Sequence, residues 1–171
     1  MKFRRDDLTA LVVLAVVVLA DQLTKNWALG SFQYKPKHVI WTLELVVAHN
    51  TGTAFSLLSG KGVGPAIALA AVVVVVVILR TLRTIQGRTA AIASGLVVGG
   101  ALGNLADRLF RSSGGFLQGA VVDWINFGWW PVFNLADMAI TIGAVVLAIV
   151  AVFAPVPTDG ETDADTEVER S

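Results

Sequence analysis

Four stretches of the chain carry roughly 20 mainly apolar residues each, and no other feature limits the possible folds so strongly. They cover about residues 8–27, 63–79, 90–106 and 135–153. A bilayer offers no partners to backbone N–H and C=O groups, so such a segment crosses it as a helix. The whole chain is 55% hydrophobic and only 15% charged, far from the balance of a soluble domain. The sequence therefore predicts a mainly α-helical integral membrane protein with four transmembrane helices.

Two of these segments have further distinguishing features. Lys2, Arg4 and Arg5 precede the first segment, as in a cleaved signal peptide. Asp21 and Lys25 follow it in place of a small-residue cleavage site, so we expect a retained helix. The third segment is rich in small residues that let helix backbones approach closely in lipid: Gly95, Gly99, Gly100, Ala101 and Gly103.

Positively charged residues indicate the orientation, because short loops rich in them favour the cytoplasm. They cluster before the first segment and between the second and third: Lys2, Arg4, Arg5, Arg80, Arg83 and Arg88. Both termini should then be cytoplasmic, with the longer loops, about 28–62 and 107–133, on the outer face. The bias is modest, because those two loops carry five basic residues of their own.

Two regions fall outside the predicted helices. Residues 39–48 are dense in Val, Ile, Trp and Thr, which favours a small strand or hairpin lying on the membrane at the outer face. The tail from Pro155 is acidic and has no apolar periodicity, which predicts disorder. We therefore expect one transmembrane domain, residues 1–154, followed by a disordered cytoplasmic tail, residues 155–171.

Composition excludes several classes of site. The formal net charge is +0, from 13 basic and 13 acidic residues, so the chain lacks the basic excess of a nucleic-acid binder. The absence of cysteine excludes disulfides, thiolate metal sites and a cysteine nucleophile. With only two histidines, His38 and His49, a histidine-rich metal site is not expected. We expect neither a metal nor an organic cofactor.

Ionisable groups in or beside membrane helices cost several kcal/mol, so each one is a functional candidate. The predicted topology puts six of them on the outer face: Asp21, Lys25, Asp107, Arg108, Asp123 and Asp137. Asp21 and Lys25 are spaced i,i+4 and can form an ion pair, which either anchors the helix or contacts substrate. Asn104, Asp107 and Arg108 form one polar face. They either serve as scaffold or, through Arg108, order the outer loop or contact lipid headgroups.

Asp123 and Asp137 differ in their surroundings. Asp123 has apolar neighbours on both sides, so burial should raise its pKa and favour the protonated form. Asp137 follows Asn134, a good N-cap candidate, near the start of the fourth helix, where an ionised carboxylate is stabilised. Either residue alone is also explained structurally, as a buried carboxyl or a helix cap. Together they match the unequal carboxyl pair of general acid–base hydrolysis, and no serine stands in a recognisable nucleophile motif.

Five short motifs in one order carry a resemblance to a known family. They are residues 21–25 (Asp-Gln-Leu-Thr-Lys), 50–56 (Asn-Thr-Gly-Thr-Ala-Phe-Ser), 99–108 (Gly-Gly-Ala-Leu-Gly-Asn-Leu-Ala-Asp-Arg), 121–124 (Val-Val-Asp-Trp) and 133–137 (Phe-Asn-Leu-Ala-Asp). Apart from its acidic tail, the chain resembles the lipoprotein signal peptidases, or signal peptidase II. The resemblance implies an aspartic endopeptidase of the bacterial inner membrane. Its substrate would be a prolipoprotein, cut just before a diacylglyceryl-modified cysteine.

The resemblance also implies roles for individual residues. Asp123 and Asp137 map to the catalytic pair, and Asp107 is the rival for the first position. Asp123 is preferred to it because Arg108 should hold Asp107 charged. Two departures from the family pattern, Trp124 in place of Phe and Met138 in place of Ser, leave the carboxyl pair intact and affect only pocket shape.

In the resulting mechanism Asp137 takes a proton from water, while protonated Asp123 hydrogen-bonds the scissile carbonyl, and the two roles can exchange during turnover. Asn50, Gly52 and Asn134 offer contacts to an extended substrate backbone, and Phe55 can pack on substrate carbon. Two alternatives remain open: a small proton-coupled transporter, since intramembrane carboxylates also mark ion pathways, and a structural membrane subunit that uses polar residues to join helices.

Overall fold

The computed structural model describes residues 5–51, 87–112 and 117–153. These residues form three helices and three strands, in the order α1 (Arg5–Phe32), β1 (Lys37–Ile40), β2 (Leu43–Asn50), α2 (Arg88–Phe110), β3 (Val121–Asn126) and α3 (Leu135–Phe153). The predicted second transmembrane helix, about 63–79, and the acidic tail lie outside the described residues. So do Gly52 and Phe55.

All three described helices are long and apolar enough to cross a membrane. They correspond to the first, third and fourth predicted segments, and α3 has the predicted bounds. Large apolar side chains stand exposed along α1 and α3: Leu8, Leu11, Val12, Val16, Leu19, Leu23, Ile142, Val145, Ile149 and Val152. Such continuous apolar faces are unfavourable in water and suited to lipid. The chain is a multi-pass membrane protein with a mainly helical fold.

Helix α2 packs between α1 and α3, and its glycines permit the close approach that their abundance predicted. A Cβ atom at Gly95 would lie 2.6 Å from the carbonyl oxygen of Ala10 in α1, and one at Gly99 would lie 2.9 Å from the Cβ of Val17. On the opposite side, a Cβ at Gly100 would collide with the carbonyl oxygen of Ala136 in α3. This packing brings the polar residues of all three helices to one level at one end of the bundle.

The strands form one antiparallel sheet in the order β1-β2-β3. The β1–β2 hairpin confirms the strand or hairpin predicted over residues 39–48. Helix α2 continues to Phe110, beyond the predicted end near residue 106, and residues 121–126 within the predicted outer loop form β3, a strand that the sequence analysis did not predict. Strand β3 pairs with β2, more than 70 residues earlier in the chain, and local sequence patterns do not reveal a partner at that distance.

Candidate active site

Asp123 lies on β3 with its side chain buried, 2% exposed. The register between β2 and β3 runs from the pair Leu45–Ile125 to the pair Ala48–Asp123, so three steps on β2 match two on β3. This is a β-bulge. Because side chains alternate between the two faces of a strand, the bulge puts Asn50 rather than His49 on the face of Asp123. The Asn50 side-chain amide donates to Oδ2 of Asp123 at 3.1 Å.

The segment before α3 folds back onto β3. Phe133 exchanges backbone hydrogen bonds with Ile125, at 2.9 and 3.1 Å, which places Asn134 beside Asp123. Asn134 is fully buried, and its Nδ2 donates to Oδ1 of Asp123 at 2.6 Å. Each oxygen of Asp123 therefore accepts an amide hydrogen bond, one from Asn50 and one from Asn134.

Asn134 also caps α3, as its position in the sequence predicted. Its Oδ1 accepts from the backbone N–H of Asp137 at 3.0 Å, and its own N–H donates to Oδ2 of Asp137 at 3.2 Å. This reciprocal arrangement is a capping box. Asp137 thus does take part in the cap of its own helix. Asn134 hydrogen-bonds both Asp123 and Asp137, so the two carboxyl groups stand on either side of one asparagine.

Asn104 of α2 completes the surroundings of Asp137. Its Nδ2 donates to the second carboxylate oxygen, Oδ1 of Asp137, at 2.8 Å. Its Oδ1 accepts from Nδ2 of Asn134 at 3.2 Å and from Nζ of Lys25 at 2.9 Å. Asp137 is only partly buried, so its carboxylate is held by two donors and remains accessible.

Lys25 lies next to Asn104, at the centre of a buried ion cluster. Its Nζ is 2.8 Å from Oδ2 of Asp21 and 2.9 Å from Oδ2 of Asp107, and all three side chains are fully buried. The predicted Asp21–Lys25 pair is therefore present. Asp21 also accepts the backbone N–H of Ala136 at 3.1 Å through its other oxygen, which ties α1 to the first turn of α3.

Both carboxylate oxygens of Asp107 accept hydrogen bonds. Besides Lys25, it accepts from Arg111 Nε at 2.7 Å, Gln22 Nε2 at 3.2 Å and the backbone N–H of Val122 at 3.1 Å. The expectation that Arg108 is the cation holding Asp107 needs correction, because the ion-pair partners are Lys25 and Arg111. A carboxylate with both oxygens shared in this way serves as scaffold between α1, α2 and β3.

Arg108 is 6% exposed. Within the described part of the chain, no hydrogen bond joins its guanidinium to another residue. It interacts through space with the charges of Asp123, Asp107 and Asp137. A buried cation therefore faces the two carboxyl groups without pairing closely with either.

The environment of Asp123 favours its protonated form. Burial and, next, the nearby charge of Asp137 raise its pKa to about 6, against the lowering effect of the hydrogen bonds from Asn50 and Asn134. The direction agrees with the expectation from its apolar sequence neighbours. A carboxyl with a raised pKa beside a second, half-buried carboxyl is an arrangement suited to acid–base chemistry.

The structure brings together all of the described site residues that the sequence singled out: Asp21, Lys25, Asn50, Asn104, Asp107, Arg108, Asp123, Asn134 and Asp137. Gly52 and Phe55 lie outside the described residues. Sequence reasoning missed Gln22 and Arg111 as partners of Asp107. The i,i+4 spacing of Asp107 and Arg111 was an available signal. Among the described residues, no group of three or more His, Cys, Asp or Glu side chains is placed to hold a metal ion.

Comparison with known proteins gives concordant matches. The family model for signal peptidase (SPase) II matches residues 13–153. A lipoprotein signal peptidase of Rhodococcus jostii is 40% identical over 142 residues, covering 81% of this chain and 69% of the relative. A lipoprotein signal peptidase of Syntrophomonas wolfei is 39% identical over 136 residues, covering 78% of this chain and 86% of the relative.

A solved structure is also similar. A bacterial membrane enzyme determined by the in meso method at 1.9 Å resolution superposes with a TM-score of 0.70 at 28% identity. The match covers 86% of this chain and 94% of that one, so the similarity extends over nearly the whole of both molecules.

Proposed function

This chain belongs to the signal peptidase II family, and from that premise we propose that it cleaves prolipoproteins with Asp123 and Asp137 as its catalytic pair. Family membership makes it a protease that removes signal peptides from prolipoproteins. The observation that carries the assignment of the pair is Asn134, which donates a hydrogen bond to each carboxyl group. Asp107, the rival for the first role, has both oxygens occupied by hydrogen-bond donors.

The geometry supports a mechanism with unequal carboxyl groups. Protonated Asp123 donates a hydrogen bond to the scissile carbonyl oxygen, while ionised Asp137 accepts a proton from a water molecule. The water oxygen attacks the carbonyl carbon and forms a tetrahedral intermediate. The C–N bond then breaks as the proton on Asp137 passes to the leaving nitrogen, which releases a carboxylic acid and an amine. No metal or organic cofactor takes part.

The remaining site residues have supporting roles. Asn50 and Asn134 fix Asp123 and offer contacts to an extended substrate backbone. The Arg108 guanidinium balances the single negative charge, which lies on the pair before the reaction and passes to the substrate oxygen in the tetrahedral intermediate. For Gly52 and Phe55, outside the described residues, the roles that the family resemblance implies are close approach of the substrate backbone and packing on acyl or side-chain carbon.

The substrate is lipid-modified, and cleavage occurs before a diacylglyceryl-modified cysteine. A site at the end of three apolar helices allows such a substrate to enter from the membrane with its acyl chains still in lipid. We place the protein in the bacterial inner membrane, with four spanning helices in a domain of residues 1–154, both termini and the tail 155–171 cytoplasmic, and the site near the outer face.

The transporter alternative is less favoured than the family function. A proton pathway needs polar groups through the depth of the membrane, and the described helices concentrate theirs at one end of the bundle. A structural subunit would tolerate replacement of either carboxyl group by an amide.

Cleavage of a lipidated precursor peptide by Asp123→Asn and Asp137→Asn variants tests the proposal. Both variants should fold and lose turnover, whereas Asp6→Asn, the same chemical change in the first turn of α1, should cleave normally. An unlipidated precursor in parallel tests the lipid requirement. Wild-type turnover by either site variant would remove that residue from the pair.

A further inference from the structure

Lys25 makes one contact beyond those that neutralise its carboxylate partners, Asp21 and Asp107. Two of its three ammonium protons point to Asp21 and Asp107, which already balances the charge of a cluster that also contains Arg111. The third points to Oδ1 of Asn104 at 2.9 Å. If Lys25 only joined α1 to α2, its contacts with the two carboxylates would be sufficient. The contact with Asn104, which faces the Asp137 carboxylate, would not be required.

The contact fixes which end of the Asn104 amide faces Asp137. An ammonium group can only donate, so it holds the amide oxygen on its own side. Nδ2 of Asn134 donates to the same oxygen at 3.2 Å. The Asn104 NH₂ group is left facing Oδ1 of Asp137, where it donates at 2.8 Å. Without Lys25, one of the two donors that keep the oxygen in place is lost, and a rotated amide would present oxygen to carboxylate.

From this geometry we propose that Lys25 is a positioning residue that acts on Asp137 through Asn104. The buried ammonium orients the amide, and the amide holds the carboxylate for proton transfer from water. Lys25 therefore contributes to the chemical step as well as to the cluster that joins the helices. The inference rests on the proposed role of Asp137 and assigns no substrate contact to Lys25.

A double-mutant cycle on Lys25→Met and Asn104→Ala separates this role from a purely structural one. Each single variant should lower kcat by about 10- to 100-fold, the size expected for a lost hydrogen bond to a charged group, with little change in KM. The double variant should be no slower than the slower single variant, because both changes break one connection. Losses in kcat that multiply would overturn the inference, as would a change confined to KM.

Arg111→Met is the matched control. It removes a cation from the same carboxylate, Asp107, and no described hydrogen bond joins Arg111 to Asn104. It should change the melting temperature without a comparable loss of kcat. A loss of kcat equal to that of Lys25→Met would show that charge removal from the cluster, and not the contact with Asn104, sets the effect.

Two further variants keep the test decisive if Lys25→Met does not fold. The first is an Asp107→Asn background, in which Lys25→Met leaves fewer buried carboxylates without a cation than it does in the wild type. The variant is then more stable, and the double-mutant cycle can be repeated in that background. Asn104→Asp keeps the acceptor for Lys25 and replaces the donor to Asp137 by oxygen, so kcat should fall at least as far as in Asn104→Ala. Near-normal kcat in Asn104→Asp would refute the inference. Turnover by Asp137→Asn would instead refute the proposed catalytic pair.

Discussion

Asn50 reaches Asp123 across two strands, with Nδ2 of the amide 3.1 Å from Oδ2 of the carboxyl group, because a bulge in β2 shifts the register by one residue. Side chains in a strand alternate between two faces, so the extra residue decides which of two neighbours, His49 or Asn50, stands beside the carboxyl. The bulge therefore shapes the site through the backbone, by setting which side chain of β2 reaches Asp123.

Inserting one alanine between Ala48 and His49, just after the bulge, should remove this arrangement. Ala48 would stay paired with Asp123, but His49 would move to the position opposite Val121 and would face the carboxyl in place of Asn50. We expect kcat/KM to fall by at least about tenfold, consistent with a lost hydrogen bond to the carboxyl. Val47→Ala, which keeps the residue count, is the control and should cleave at close to the wild-type rate. Equal activity of the two variants would contradict the role given to the bulge.

The raised pKa of Asp123 predicts how activity depends on pH. Burial and the neighbouring Asp137 raise this pKa to about 6, so the proton that hydrogen-bonds the substrate carbonyl in the proposed mechanism is lost from the free enzyme above that pH. The kcat/KM for a precursor peptide should therefore decline as pH rises through about 6. Bound substrate excludes further water, so the decline in kcat should lie at higher pH. A kcat/KM profile that is flat from pH 5 to 8 would contradict this assignment.

The raised pKa of Asp123 also predicts how the stability of the folded protein changes with pH. The folded pKa of Asp123 lies above the reference value of 3.8, so the folded state binds more protons between the two values. The stability that this group contributes is fully present below about pH 4 and is lost as pH rises through about 6. At 1.36 kcal/mol per pKa unit, the loss is at most about 3 kcal/mol. Melting temperatures between pH 4 and 8 should decline less in Asp123→Asn than in the wild type.

The sequence predicted which polar residues lie close together more accurately than it predicted their contacts. Apolar runs give helix positions directly, because a bilayer-spanning helix needs a fixed length, and α3 has the predicted bounds. Strand β3 was missed because its partner β2 is distant in the chain. The pairing of Asp107 with Lys25 also depends on how α1 packs against α2, and sequence proximity wrongly suggested Arg108. Motif order indicated the residues of the candidate site. Which of their atoms meet depends on the close packing at the glycines and on the register of the strands, and the motifs reveal neither.

Asn134 connects both carboxyl groups, so its replacement should affect activity and stability together. Asn134→Ala removes the hydrogen bond to Asp123 and the cap on the backbone N–H of Asp137. We expect kcat to fall by about 10- to 100-fold and the free energy of unfolding to fall by about 1 kcal/mol from the lost cap. Asn134→Ser retains capping capacity without reaching Asp123, so it should recover stability but not kcat. Recovery of both by serine would show that the cap alone matters.

Gly103 determines how closely α1 approaches α2 at the level of the ion cluster. A Cβ atom at this position would lie 2.6 Å from Oδ2 of Asp21, the oxygen that pairs with Lys25 at 2.8 Å. Gly103→Ala must therefore displace the Asp21 carboxylate or separate the helices, and overpacking of this kind costs about 1–3 kcal/mol. Displacement of Asp21 also disturbs Lys25, so kcat should fall along with the melting temperature.

Gly30→Ala is the matched control, since Gly30 also lies in a helix and no described residue has an atom within 4 Å of the Cβ it would gain. Alanine has the higher helix propensity, so this variant should be as stable as the wild type or more stable by up to about 1 kcal/mol. Both variants add one methyl group to a helical glycine, so the difference between them isolates the contact with Asp21. Equal melting temperatures and equal kcat for the two variants would mean that α1 can move away from α2 without disturbing the cluster.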